Sequence, residues 1–127
     1  MLANGIVNSW AYSIQFRDPM RMLDFYSEDA VLLATYSNLL VGKTEILDYF
    51  IDFLNKEGLK CKITDIYTTQ MGTSHACSGL YTFSFYDKGQ YTEVKARFTY
   101  VVRHGSFQLW VKIRKRKFLI IVQKKKE

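Results

Sequence analysis

Proline occurs once in the 127 residues, at Pro19, and there are seven glycines. That scarcity excludes proline- or glycine-rich linkers and low-complexity spacers. No repeat of solenoid length is present. The two cysteines, Cys61 and Cys77, form no CxxC pair, and neither histidine stands at a ligand spacing from them. Free thiols are therefore expected, with no metal and no cofactor. No P-loop or dinucleotide fingerprint occurs. No apolar run approaches the roughly 18 residues of a membrane span. The opening Met1-Leu2-Ala3-Asn4-Gly5 lacks the basic and apolar regions of a secretory signal, so the expected location is cytoplasmic.

What the chain does have is apolar bulk. Hydrophobic residues make up 48 % and aromatics 16 %. This is enough to support a real core, and a chain of this length fits a single domain spanning residues 1–127. The net charge of +6 is unevenly distributed: residues 111–127 hold eight of the 18 Lys and Arg and only one acid, Glu127. The basic character thus belongs to an atypical C-terminal strand or tail over residues 107–127. Any nucleic-acid reading would rest on that tail alone, and a nucleic-acid partner is not expected.

Apolar spacing predicts a helix over residues 2–17, with Leu2, Ile6, Trp10 and Ile14 on one face. Asp18-Pro19 breaks it. A second helix is expected from Pro19 to about Tyr26, with Asp18 as its N-cap. Ser27-Glu28-Asp29 reads as a turn, 30–35 and 39–41 as short strands, and 43–56 as a third helix. From residue 59 the pattern alternates with period two. Strands are expected over 59–67, 76–86 and 91–103, with Phe107–Ile113 as a final strand and Phe118–Val122 as an extra one. Tyr81, Phe83 and Phe85 share one face. Val94, Ala96, Phe98, Tyr100 and Val102 share another, opposite Glu93, Lys95, Arg97, Thr99 and Arg103. Helices followed by long antiparallel strands give an α+β fold, and a curved sheet over helices leaves a cavity on its concave side.

Four segments carry a family resemblance. Residues 25–32 (Phe-Tyr-Ser-Glu-Asp-Ala-Val-Leu) and 42–50 (Gly-Lys-Thr-Glu-Ile-Leu-Asp-Tyr-Phe) resemble the signature of SnoaL-like domains of the nuclear transport factor 2-like superfamily. Residues 78–83 and 96–101 are similar to later strands of the branch that holds SgcJ/EcaC-type proteins and the calcium/calmodulin-dependent kinase II association domain. The resemblance implies a cone-shaped curved antiparallel sheet packed against N-terminal helices, the cystatin-like fold, and a homodimer formed through the sheet. It does not imply one function. The His-His-Ser-Ser-type motif that ends this branch is absent, because residues 107–114 contain no histidine. Ketosteroid isomerases of this superfamily carry a carboxylate base just after the segment matching Asp29-Ala30, whereas Leu32-Leu33-Ala34-Thr35 has none. The position of their second Asp falls near Arg97. Isomerase chemistry is therefore not expected.

The candidate ligand-pocket residues are Trp10, Tyr81, Phe83, Phe85, Arg97 and Tyr100, with Tyr91 as a further aromatic. Arg97 has two readings. On a concave face its guanidinium would bind a carboxylate or phosphate; on the outer face it is a solvated neighbour of Glu93 and Lys95. His75 and His104 read as solvated turn residues, and Asp29 as a turn residue rather than a base. No catalytic residue is assigned. Two function classes remain: a small-molecule-binding domain with a mainly apolar pocket for an apolar or anionic ligand, or a non-catalytic oligomerisation or protein-interaction module.

Overall fold

The computed structural model describes residues 3–34, 39–104 and 116–125. The expected strand over 107–113 lies outside the described residues. Helix α1 spans Ala3–Ser13 and runs into a 3₁₀ turn at Ile14–Phe16. Val7, Trp10, Ala11 and Ile14 recur every three to four residues and are all buried, forming the inward stripe of that helix. Helix α2 is short, Pro19–Leu23. The side chain of Asp18 caps it, accepting from the backbone N–H of Met20 (3.0 Å) and of Arg21 (3.5 Å).

Strand β1 covers Tyr26–Leu33, so the turn expected at Ser27-Glu28-Asp29 is instead part of a strand. The turn-forming composition reflects a bulge. Glu28 and Asp29 are both exposed, the register shifts between Tyr26 and Val31, and Ser27 Oγ donates to Asp29 Oδ1 at 2.8 Å. Strand β2 is Leu39–Val41 and α3 is Gly42–Phe53. Glu45 reaches back to accept from the Val41 N–H at 3.0 Å, satisfying one of the otherwise unpaired donors that begin α3. Three long strands follow: β3 Glu57–Met71, β4 Ser74–Asp87 and β5 Gln90–His104. His75 therefore lies in a strand, paired with Val102. Strand β6 is Arg116–Lys125, which includes the apolar run 118–122.

The six strands form one open sheet in the order β2-β1-β6-β5-β4-β3. All neighbours are antiparallel except β1 and β6, which run parallel. The basic C-terminal segment thus supplies a strand inside the sheet, between β1 and β5. A parallel neighbour to β1 was not legible locally, because such pairing joins residues about 90 apart.

Gly79 marks the tightest point of the sheet. The β3–β4 register slips between Ile63 and Asp65, and Ile66 stands opposite Gly79. A Cβ at Gly79 would collide with the Asp65 carbonyl and press on the Phe98 ring. Backbone, unlike a flexible side chain, cannot give way cheaply. Gly79→Ala is therefore expected to destabilise the fold by about 1–3 kcal/mol, read as a lower urea midpoint; an unchanged midpoint would contradict this packing.

Candidate functional site

The inner face of the sheet and the inward stripe of α1 meet in an aromatic cluster. Period-two spacing places Tyr81 and Phe83 of β4 and Phe98 and Tyr100 of β5 on that face. Trp10 lies against them, its ring 5.8 Å from Tyr81, 5.4 Å from Tyr100 and 6.4 Å from Phe83. Tyr81 lies 4.7 Å from Phe83 and 4.8 Å from Phe98, and Phe98 5.1 Å from Tyr100. Tyr26 closes the cluster from β1 and contacts Phe50 of α3 at 5.6 Å. Such offset and edge-on pairs add to simple area burial.

Polar atoms converge inside this apolar shell. Trp10 Nε1 donates to the Tyr26 hydroxyl at 3.1 Å, and the hydroxyls of Tyr81 and Tyr100 lie 3.4 Å apart. Trp10, Tyr26 and Tyr100 have no accessible surface, and Tyr81 has 1 %. A side chain lining a water-sized void would show accessible area, so these groups are packed against atoms on all sides. Burial pushes the phenols of Tyr26 and Tyr100 well above their ordinary value, and burial likewise raises the Cys61 thiol. The cluster is therefore held neutral.

A pH prediction follows from that burial. An acid whose folded pKa is raised contributes full stability below its unfolded pKa, about 10 for tyrosine, and loses it as pH climbs toward the folded value. Stability should begin to fall above about pH 8.5, where the Cys61 thiol of the unfolded chain ionises, and fall steeply above about 10 as the phenols follow. In Tyr26→Phe or Tyr100→Phe the alkaline slope should be shallower; the wild-type slope in both would show that these phenols do not set it.

Of the residues singled out by sequence, Trp10, Tyr81, Phe83 and Tyr100 come together. Phe85 is half-buried at the margin, 5.7 Å from the Lys56 ammonium. Arg97 does not join them. It is exposed on the opposite face, with Lys95 and Glu93, because Ala96, Phe98 and Tyr100 take the alternate inward positions. Tyr91 is 54 % exposed and donates to Glu93 at 2.8 Å, near Tyr86. Tyr26, Phe50 and Phe98 join the cluster without being among the pocket candidates, although alternation already puts Phe98 on the face of Tyr100.

Outside the core, a shallow groove of about 320 Å³ is lined by Phe16, Arg17, Pro19, Ile51, Leu54 and Asn55. Arg17 adopts the left-handed conformation (φ 55°), and its Nε donates to the Leu54 carbonyl at 2.9 Å. The guanidinium thereby satisfies the carbonyl end of α3 and ties it to the α1–α2 corner.

The sheet face opposite the core is a second feature. Ser78 and Thr99 lie at its middle, their hydroxyls 3.0 Å apart, flanked by half-buried Ala76, Leu80 and Val101. Tyr67, 72 % exposed, stands beside Ser78, with Met71 at 57 % toward one end of the strands and Tyr86 and Tyr91 at the other, and exposed Glu93, Lys95 and Arg97 share this face. No described helix is long and apolar enough to cross a membrane.

No protein-family model and no curated protein sequence matches the chain. Solved structures do. A protein of Xanthomonas campestris, provisionally named a calcium/calmodulin dependent protein kinase II association domain, is 25% identical with a TM-score of 0.84, over 97% of this chain and 84% of that one. A ketosteroid isomerase-like protein of Erwinia carotovora atroseptica is 12% identical (TM-score 0.78), over 98% of this chain and 93% of that one. A nuclear transport factor 2-like superfamily protein of Salmonella enterica is 14% identical (TM-score 0.79), over 97% and 87% of the two chains. The α+β arrangement of helices on one face of a largely antiparallel, open sheet is a cystatin-like fold, shared with these solved structures.

Proposed function

We propose that this domain is a non-catalytic self-association module that pairs with a second copy through the outer face of its sheet. The observation that carries the reading is that face. Strands of 14 and 15 residues, roughly 45 Å long at about 3.3 Å per residue, present Ser78 and Thr99 at the centre, exposed Tyr67 and Met71 to one side and exposed Tyr86 and Tyr91 at the far end, with Glu93, Lys95 and Arg97 on the same face between them. A small-residue centre lets two sheets approach to about 10 Å, and a face copied on both partners is what a twofold interface requires. The likeness to the Xanthomonas protein, named for an association domain, supports it. Ser78→Arg would set two guanidinium groups into the middle of such an interface, where like charges cost several kcal/mol. Expected is a shift of the association midpoint by at least about a hundredfold, seen by sedimentation at several concentrations. A variant that associates like wild type would refute pairing through this face.

A second reading is favoured by the convergence of Trp10, Tyr26, Tyr81 and Tyr100. These groups would hold a small, mainly apolar ligand beside Phe83 and Phe85, with phenol hydroxyls aimed at an acceptor on it. With Arg97 outside and the phenols neutral, the ligand class is uncharged rather than anionic. The names of isomerase-like and dehydratase neighbours support a pocket in this fold. Entry would need the packed rings to part. The test is titration with 1-aminoanthracene, an apolar aromatic probe. Saturable one-to-one binding, weakened about tenfold by Tyr100→Phe, is expected from loss of one hydrogen bond. No binding at any accessible concentration would count against a ligand and for a purely structural core.

A further inference from the structure

We infer a second self-association surface at the margin of the outer face: the free edge of β3 over residues 67–71, which pairs antiparallel with the same segment of another copy about a twofold axis at Thr69. Strand β3 ends the sheet and, among the described residues, pairs only with β4. Among the described residues, its other side therefore presents backbone donors and acceptors without ladder partners, the usual template for strand addition.

The two halves of this edge differ in chemistry. The first half is defended: Lys60 and Lys62 are exposed on it, and the register slip between Ile63 and Asp65 bends it. Lysines and bulges are the devices that blunt an edge. Ile66-Tyr67-Thr68-Thr69-Gln70-Met71 has neither. It is uncharged, free of proline and glycine, and rich in strand formers. Tyr67, Thr68, Thr69, Gln70 and Met71 are all exposed, whereas Leu59 of the same strand is buried.

The side chains specify both occupant and register. Tyr67 and Met71 are the two large exposed apolar groups of this half, and they share a face at a separation of four residues. A twofold axis at Thr69 sets Tyr67 of each copy opposite Met71 of the other, and Thr68 opposite Gln70. Both exposed apolar groups are covered, twice, by a thioether–aromatic contact. No charge meets a like charge. Pairing centred on Lys62 would oppose two lysines, so this segment selects its own copy in one register.

The test uses the full chain carrying Thr69→Cys, with Thr73→Cys as control. Residues facing each other across an antiparallel pair have Cα atoms about 4.5–5.5 Å apart, within disulfide reach, whereas two sheets packed face to face stand about 10 Å apart. Under oxidised glutathione, Thr69→Cys should form a covalent dimer at least tenfold faster than Thr73→Cys, which this register puts far from its own copy. Wild type, with Cys61 and Cys77, sets the background. Hydrogen exchange on wild type should also show amides of 67–71 protected in alternation and released on dilution. Cross-linking no faster than the control, or a concentration-independent free edge in exchange, would overturn the inference. Adding Thr99→Arg, on β5 two strands from this edge, separates the two surfaces: it should abolish pairing through the outer face and leave the Thr69→Cys cross-link intact.

Discussion

A chain ended after Ser106 is expected to be insoluble or unfolded, although the deleted segment has the least familiar sequence in the protein. The deletion takes β6 from between β1 and β5, where its backbone pairs with Val31, Leu32 and Leu33 on one side and with residues 96–104 on the other. Removing it splits the sheet into a two-stranded and a three-stranded piece. Two long strands would then each expose a ladder of unpaired donors and acceptors. The loss exceeds what a domain with a total stability of about 5–15 kcal/mol can absorb. Circular dichroism and a one-dimensional proton spectrum would check this. A soluble truncated chain with wild-type melting would make the tail an appendage, and its eight basic residues would then need a binding role.

Trp10→Ala should be the most damaging single substitution in the helical layer. It removes the ring that touches Tyr81, Phe83 and Tyr100 and takes away the N–H that pairs with the Tyr26 hydroxyl. Large-to-small changes of this kind cost about 3–5 kcal/mol, and loss of the hydrogen bond to the Tyr26 hydroxyl adds to that. A fall in melting temperature of about 10–20 °C is expected for a chain of this size. Trp10→Phe keeps much of the volume and loses the hydrogen bond, so it should cost about a third as much. A ligand site built on Trp10 would behave differently, losing binding with little change in stability.

The local signals in the sequence were dependable where a period could be counted. The stripe containing Trp10 and Ile14, the Asp18 cap, and the alternation through Ala96, Phe98 and Tyr100 all appear in the structure. Alternation also decides the place of Arg97, which is exposed as a residue between two inward neighbours should be. The family resemblance had made a pocket role seem as reasonable. Three features could not be read locally. Ser27-Glu28-Asp29 has turn composition but forms a bulge, because pairing with distant strands outweighs local propensity. The place of β6 inside the sheet depends on long-range pairing. Tyr26 joins the aromatic cluster only once β1 has been laid beside the others. Function was less legible still, because a packed interior and an open one can share the same aromatic pattern.

The most direct test of self-association through the outer face is the solution mass of the wild-type chain. Multi-angle light scattering at about 10 µM should give twice the 14.9 kDa chain mass, or an even multiple of it where the β3 edge also pairs. Ser78→Arg should lower that mass while leaving the circular dichroism spectrum unchanged. A wild-type chain that runs as a 14.9 kDa monomer at this concentration would contradict the proposal, and the aromatic interior would become the place to look for function.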